Sequence, residues 1–415
     1  MIKIQAELTE NPYIRNDILT TQFTMLVDDA MSKHPSLKTL TQLEYIHGFI
    51  KYPHWNSDAD LFCNIDQHNL KRLQNEEIFF ILDASVEGYS PIHQIPFFDI
   101  LHHNCDKYNV NPERVIFVSA NLLDEQNYER YSKSKNKKLK IFSFNFFEKV
   151  AEAPLEWRSL IENGEDILPQ VTLQRVKQEV ENNFVDKFFS SLSRLNRYQR
   201  TIATFLLSQH PVSKHALISH NKLKLDRPDI WLQVAGLEKY GIENLLQWLD
   251  SLPLVVDHND FETNWAIQTP YAHIHHRTLF QIVNETYQSD FNGTSLFYSE
   301  KTFRPMICMQ PFIIYGQPGS NKYLKNLGYI TYDDYFDLSF DDEPNDTVRY
   351  QMILHVVSTL CKKLESMSRQ EQIKWRFQRE DVLLHNFQIM RETALTKNKV
   401  IAFLTKEIYG TTNTH

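Results

Sequence analysis

Three short apolar runs, each ending abruptly in polar groups, constrain the fold of this 415-residue chain more than any other feature. Ile78 to Leu82, within EEIFFILDASVEGYS, gives way at once to Asp83, Glu87 and Gly88, and RVIFVSAN and KLKIFSFN repeat the pattern. A continuous apolar run of that length suits a strand buried on both faces, as in a parallel sheet covered by helices. PFFDILHHNCDKYNV, between the first two runs, has the spacing of an amphipathic helix. The alternation predicts a parallel α/β domain over residues 1–185.

A second rhythm of the same kind follows. The polar helical segment VTLQRVKQEVENNFVDK can bridge two domains, and FFSSLSRLNRYQRTIATFLLSQH reads as a strand, a basic loop and a helix starting near Arg200. HALISHN, LFQIVNETY, PFIIYG and YITY read as further strands, and the residues from TVRYQ onward as helices. We therefore expect a second α/β domain over 186–395 and a helical tail over 396–415. The fold class is two Rossmann-like domains facing across a cleft between their carboxyl-end loops.

Composition narrows the partners. Forty-four basic against 52 acidic residues give a net charge of −8, so no general attraction to a polyanion exists. The run KSKNKKLK, residues 133–140, reads as an exposed turn. The four cysteines are scattered without metal-ligand spacing and read as reduced and mostly buried. With no apolar leader and no run of about eighteen apolar residues, a cytoplasmic location is expected.

The densest chemistry lies in YSEKTFRPMICMQPFIIYG, residues 298–316. A helix starting near Ser299 or Glu300 offers unpaired N–H groups to an anion, and Lys301 and Arg304 add positive charge. Ser299 serves equally well as the helix cap. Glu300 can accept two hydroxyl hydrogen bonds from a sugar or ribose, or pair with Lys301. Arg194, Arg197 and Arg200 in RLNRYQR can turn toward a phosphate with a fork geometry that lysine lacks.

Asp83 and Glu87 are the candidate catalytic carboxylates, at the end of the first strand. Ser119 and Asn121, in VSAN, can bind acceptor hydroxyls or close a turn. HIHHR, with His273, His275 and His276, lacks a carboxylate to complete a zinc pattern, so no metal site is expected. No P-loop, no G-x-G-x-x-G and no G-x-S-x-G occurs, which disfavours ATP hydrolysis, dinucleotide oxidation and serine-hydrolase chemistry.

Taken together, the NET segment, SEK and the short strand ending in Gly316 resemble the donor-binding region of bacterial and phage GT-B glycosyltransferases, in particular their fucosyltransferase-like members, over residues 190–335. The resemblance implies a nucleotide-sugar co-substrate and no cofactor or metal. It implies that Glu285 and Glu300 are acidic donor-site positions, that Lys301, Arg197 and Arg200 face the donor phosphates, and that the first domain receives the acceptor. A glycan or other hydroxyl acceptor is expected, with Asp83 as base if the reaction inverts. A hydroxymethylated DNA base as acceptor, peripheral membrane association, a non-catalytic binding or assembly role, and the oligomeric state are left open.

Overall fold

The computed structural model describes residues 3–4, 14–15, 45–50, 60–63, 65–84, 97–143, 145, 172–193, 196–256, 272–289, 293–391 and 403. Contacts divide the chain into two units. The first comprises Met1–Phe146, Asp290–Phe297 and Glu392–His415; the second comprises Phe147–Ser289 and Tyr298–Arg391.

The first unit contains β1 (Lys3–Ile4), β2 (Ile14–Arg15), β3 (Tyr45–Ile50), α1 (Gln67–Gln74), β4 (Phe79–Ala84), α2 (Phe97–Lys107), β5 (Val115–Ser119), α3 (Asp124–Tyr131) and β6 (Lys140–Ser143). Its sheet runs β1-β3-β4-β5-β6, all parallel, with β2 antiparallel on β3. Phe80, Leu82 and Phe117 cluster with Leu73 of α1 and Ile100 and Leu101 of α2. The apolar runs at 78–82 and 115–118 are thus core strands, as their lack of alternation requires.

The second unit contains α4 (Leu173–Asn183), β7 (Phe189–Ser193), α5 (Tyr198–Gln209), β8 (Ala216–His220), α6 (Pro228–Ala235), α7 (Ile242–Asp250), α8 (Ala272–His276), β9 (Phe280–Asn284), α9 (Glu300–Ile307), β10 (Phe312–Tyr315), α10 (Ser320–Tyr323), α11 (Asp346–Glu365), α12 (Arg369–Arg376) and α13 (Glu380–Arg391). Its parallel sheet runs β10-β9-β7-β8. The chain leaves β7 toward β8 on one side and returns as β9 on the other, so the strand order reverses between β7 and β9. No described helix is long and apolar enough to cross a membrane.

Three expectations differ from the structure. YITY is not a strand, because the Asn386 side chain takes both backbone groups of Ile330: its Oδ1 accepts from Ile330 N and its Nδ2 donates to Ile330 O, each at 2.8 Å. The helix expected to bridge two domains, α4, belongs to the second unit, where Arg369 donates to the carbonyls of Glu181 at its end and Phe184 just beyond. Residues 290–297 return to the first unit rather than staying with the second. The tail expected at 396–415 lies outside the described residues except Phe403, whose ring packs 4.8 Å from Phe142.

The second unit is pinned by Arg376, which is wholly buried. Its guanidinium donates to the carbonyls of His275 (2.5 Å), Thr278 (2.6 Å) and Cys308 (2.8 Å), so one cation collects the carbonyl ends of α8 and α9. Burial draws that guanidinium down to about 10. Beside it His275 Nδ1 meets Gln310 Oε1 at 2.7 Å, and burial pushes the imidazole down to about 3. His275 therefore stays neutral and structural.

Two outcomes follow. Arg376→Met removes three hydrogen bonds to buried carbonyls, those of His275 and Thr278 keeping a weaker donor in Gln310 Nε2 (3.3 and 3.1 Å), and should lower unfolding stability by about 3 kcal/mol or more, read by urea titration. The folded chain holds His275 neutral, whereas the unfolded chain protonates it near its ordinary 6.5. Its contribution is therefore full above about pH 6.5 and is lost as pH falls toward 3, at up to about 1.4 kcal/mol per pH unit. His275→Gln should flatten that acid limb of stability against pH; an unchanged limb contradicts the assignment.

Candidate functional site at the strand-order reversal

Where strand order reverses in an open α/β sheet, the loops at the carboxyl ends diverge and leave room for a ligand. Here those loops follow β7 and β9. Asn284, buried at the end of β9, donates to Ser191 Oγ (2.9 Å) and Ser193 Oγ (3.0 Å) of β7, which ties the two strand ends together. From that tie the chain runs on one side into Arg197 and α5, and on the other into Glu285–Ser289.

Glu285 is fully buried and organises the second loop. Its carboxylate accepts from Ser299 N (3.1 Å to each oxygen), Ser299 Oγ (2.6 Å), Thr302 Oγ1 (2.5 Å) and its neighbour Thr286 N (2.9 Å). A carboxylate at a helix N-terminus satisfies orphan donors and the helix field together. This corrects the expectation that Ser299 and the start of α9 are open to an anion: the protein's own Glu285 takes that role. Ser299 Oγ also caps α9 by accepting from Lys301 N (3.4 Å). Glu285 and Ser299 are therefore positioning residues rather than ligand contacts.

Arg200 is corrected in the same way. It is 1% exposed, its Nε donates to Glu285 O (2.8 Å) and its Nη2 to Thr286 Oγ1 (3.2 Å). It braces the β9 loop from α5 instead of reaching outward. Among the described residues no carboxylate lies within ion-pair distance of it, and burial draws the guanidinium down to about 10 against the favourable fields of Glu285 and Glu300. A buried cation compensated only at a distance leaves a positive field around it.

The groups that do reach the surface of this region are Arg197, Glu300, Lys301 and Arg304, all half-buried. Arg197 is the N-cap of the twelve-residue α5, which has no side-chain cap, and its guanidinium lies 5.3 Å from the Tyr287 ring centroid. Lys301 Nζ contacts Glu300 Oε1 at 2.7 Å and Ser299 Oγ at 3.3 Å. Burial opposes the charge on Glu300, but Lys301 and then Arg304 outweigh it and hold the carboxyl at about 2. Burial, with the field of Arg200, holds the Lys301 ammonium below its ordinary value. Arg197, Arg200, Glu285, Glu300, Lys301 and Arg304 thus share one electrostatic neighbourhood.

In the first unit, Asp83 lies near the end of β4, paired in register with Phe49 and Val118, and is 1% exposed. A general base must reach the acceptor hydroxyl, and a carboxyl buried to that degree does not present itself for it. Ser119 and Asn121 are corrected to turn-closing roles. Ser119 Oγ donates to Asp124 Oδ2 (2.5 Å), while Asn121 Nδ2 donates to Asp124 Oδ1 (2.7 Å) and Asn121 Oδ1 accepts from Leu296 N (2.9 Å). Arg194, Glu87 and the His273 side chain lie outside the described residues.

Two residues, Tyr287 and Arg349, shape the site without a signal in the sequence, and Asn284, the first residue of the NET segment, shapes it through a contact that the segment does not announce. Tyr287 offers its ring to Arg197, and Asn284 joins the strand ends. Arg349 sits on α11, where it reads as one polar position among many, yet it is 1% exposed and its Nη2 donates to Gln288 O (2.5 Å) and Gly316 O (2.9 Å). It holds the loops after β9 and β10 from beneath. Gly316 has no room for a side chain: a Cβ there would lie 2.9 Å from Ser320 Oγ, 3.0 Å from Ile314 Cγ2 and 3.4 Å from Glu285 Cβ.

Glu285→Gln replaces an acceptor oxygen with a donor amide facing other donors. We expect a loss of about 2–3 kcal/mol in urea unfolding, against less than about 1 kcal/mol if Glu285 were a solvent-facing ligand residue.

No known protein family and no curated protein matches the chain. Among solved structures it is similar to an α,α-trehalose-phosphate synthase (UDP-forming) from Burkholderia vietnamiensis, at 10% identity over 94% of this chain and 78% of that one, with a TM-score of 0.35. It is also similar to the E. coli structure described as trehalose-6-phosphate bound with UDP-2-fluoro glucose, at 13% identity over 91% of this chain and 78% of that one, with a TM-score of 0.36. Likeness at this level carries no functional weight, and neither match bears on the fucosyltransferase-like or phage resemblance.

Proposed function

We propose that the second unit binds a nucleotide-sugar donor at the carboxyl ends of β7 and β9, and that the protein is a glycosyltransferase acting on an acceptor hydroxyl of a glycan or other carbohydrate. The observation that carries this reading is the convergence, at the point where strand order reverses, of the uncapped N-terminus of α5, Arg197, Lys301 and an ionised Glu300.

Each part has a fitting task. The N-terminal N–H groups and field of α5 favour a diphosphate, and Arg197 and Lys301, which both act electrostatically with Arg200, add positive charge there. Glu300, charged at neutral pH, accepts from two hydroxyls of a sugar or ribose, to which Lys301 yields part of its ion pair. The same cations offset charge on the departing nucleotide, the electrostatic task for which a metal ion would otherwise serve. Arg200 adds field without contact, and Glu285 keeps Ser299–Arg304 in place.

The ion pair between Glu300 and Lys301 also favours a second reading, in which the site binds a nucleotide without transfer, because two charges satisfying each other form a stable resting arrangement. Turnover separates the two. In a panel of nucleotide sugars, one donor class should raise the melting temperature, and the protein should release its nucleotide in the presence of a carbohydrate acceptor, with a rate unchanged by a chelator. Lys301→Ala and Glu300→Gln should each weaken donor binding about tenfold or more, equivalent to about 1.4 kcal/mol. Binding without nucleotide release selects the non-catalytic reading, and failure of every nucleotide to bind the folded protein rejects both.

A further inference from the structure

The turn between α3 and β6 concentrates positive charge. Residues 130–140, RYSKSKNKKLK, hold six of the chain's 44 basic residues and none of its 52 acidic ones. In a chain of net charge −8 that is a sharp local reversal of sign. Arg130, Lys133, Lys137 and Lys138 are exposed, with Lys135 and Lys140 half-buried. Among the described residues no carboxylate pairs with Arg130, Lys133, Lys135, Lys137 or Lys138.

The backbone beneath these cations is fixed. Ser132 and Leu139 are buried at 1% and 4% exposure, Leu139 N donates to the buried Tyr128 hydroxyl at 2.6 Å, and Lys135 N donates to Ser132 O at 3.0 Å. Lys135 lies 5.3 Å from the Tyr131 ring centroid, and Arg130 Nη2 donates to Asn127 Oδ1 at 2.7 Å. Holding like charges together on one anchored turn costs repulsion that a negatively charged partner removes.

We propose that this turn docks the protein on an anionic lipid surface. The chemistry favours lipid headgroups over nucleic acid. Five of the six cations are lysines, mobile point charges suited to a diffuse layer of phosphates, whereas sequence reading and strand tracking use arginine forks and stacking aromatics. The aromatic ring within the run, Tyr131, is half-buried against the core and already engaged, its hydroxyl donating to Asp99 Oδ1 at 2.5 Å. Attraction of this kind is lost as salt shortens its range. The proposal does not depend on the donor site.

The test is flotation of the full chain with vesicles of phosphatidylcholine alone and of phosphatidylcholine mixed with phosphatidylglycerol, at low and at high salt. The wild type should float with the mixed vesicles only and be released by salt. Lys133→Gln, Lys137→Gln and Lys138→Gln together should lower the partition about a hundredfold, at roughly fivefold per lysine. Because all three side chains are exposed, the far-UV spectrum and nucleotide-sugar binding should not change. Absence of wild-type flotation, equal flotation of the triple variant, or retention on duplex DNA without flotation each overturns the proposal.

Discussion

The arrangement of the second unit around its candidate site depends on one buried carboxylate. Glu285 leaves the end of β9 and spends both oxygens on Ser299, Thr302 and its own loop, joining a strand end to the start of a helix fourteen residues further on. Around that junction Arg200 braces the loop from α5 and Arg349 from α11, and Gly316 leaves the space that Ser320 Oγ and Ile314 Cγ2 approach. The half-buried charges, Arg197, Glu300 and Lys301, stand on a frame whose carboxylate, Glu285, already has its donors. A frame of this kind lets surface charge be positioned without costly rearrangement when a ligand arrives.

Buried arginine is the recurring device. Arg200 and Arg376 lack a carboxylate within ion-pair distance among the described residues and bond mainly to carbonyl oxygens, as Arg349 also does with Asp346 at 3.8 Å alongside. A guanidinium presents several donors in a plane, so one side chain can collect carbonyls from segments far apart in sequence. The cost is a desolvated positive charge, and at Arg200 that cost reappears as a field near Lys301.

The sequence carried the strands well, because a continuous apolar run has few other uses. β4, β5, β7, β9 and β10 lie where FFILDA, VIFVS, FSSLS, FQIVN and FIIY suggested, and α9 starts at Glu300. It failed where a distant side chain decides the outcome. YITY has the composition of a strand, but Asn386 takes the backbone groups of Ile330. Ser119, Asn121 and Arg200 were legible as polar groups at strand ends, yet local sequence does not say whether such a group turns inward to close a loop or outward to a ligand. Arg349 gave no signal, and NET marked Asn284 without its role, since their partners are supplied by two separate loops and by β7.

A crystal structure of the protein grown with a nucleoside diphosphate tests whether phosphate binds at the carboxyl ends of β7 and β9. The diphosphate should lie over the first turn of α5, within hydrogen-bond reach of Arg197 and Lys301. A diphosphate bound elsewhere on a protein whose Arg197 and Lys301 remain accessible would contradict it.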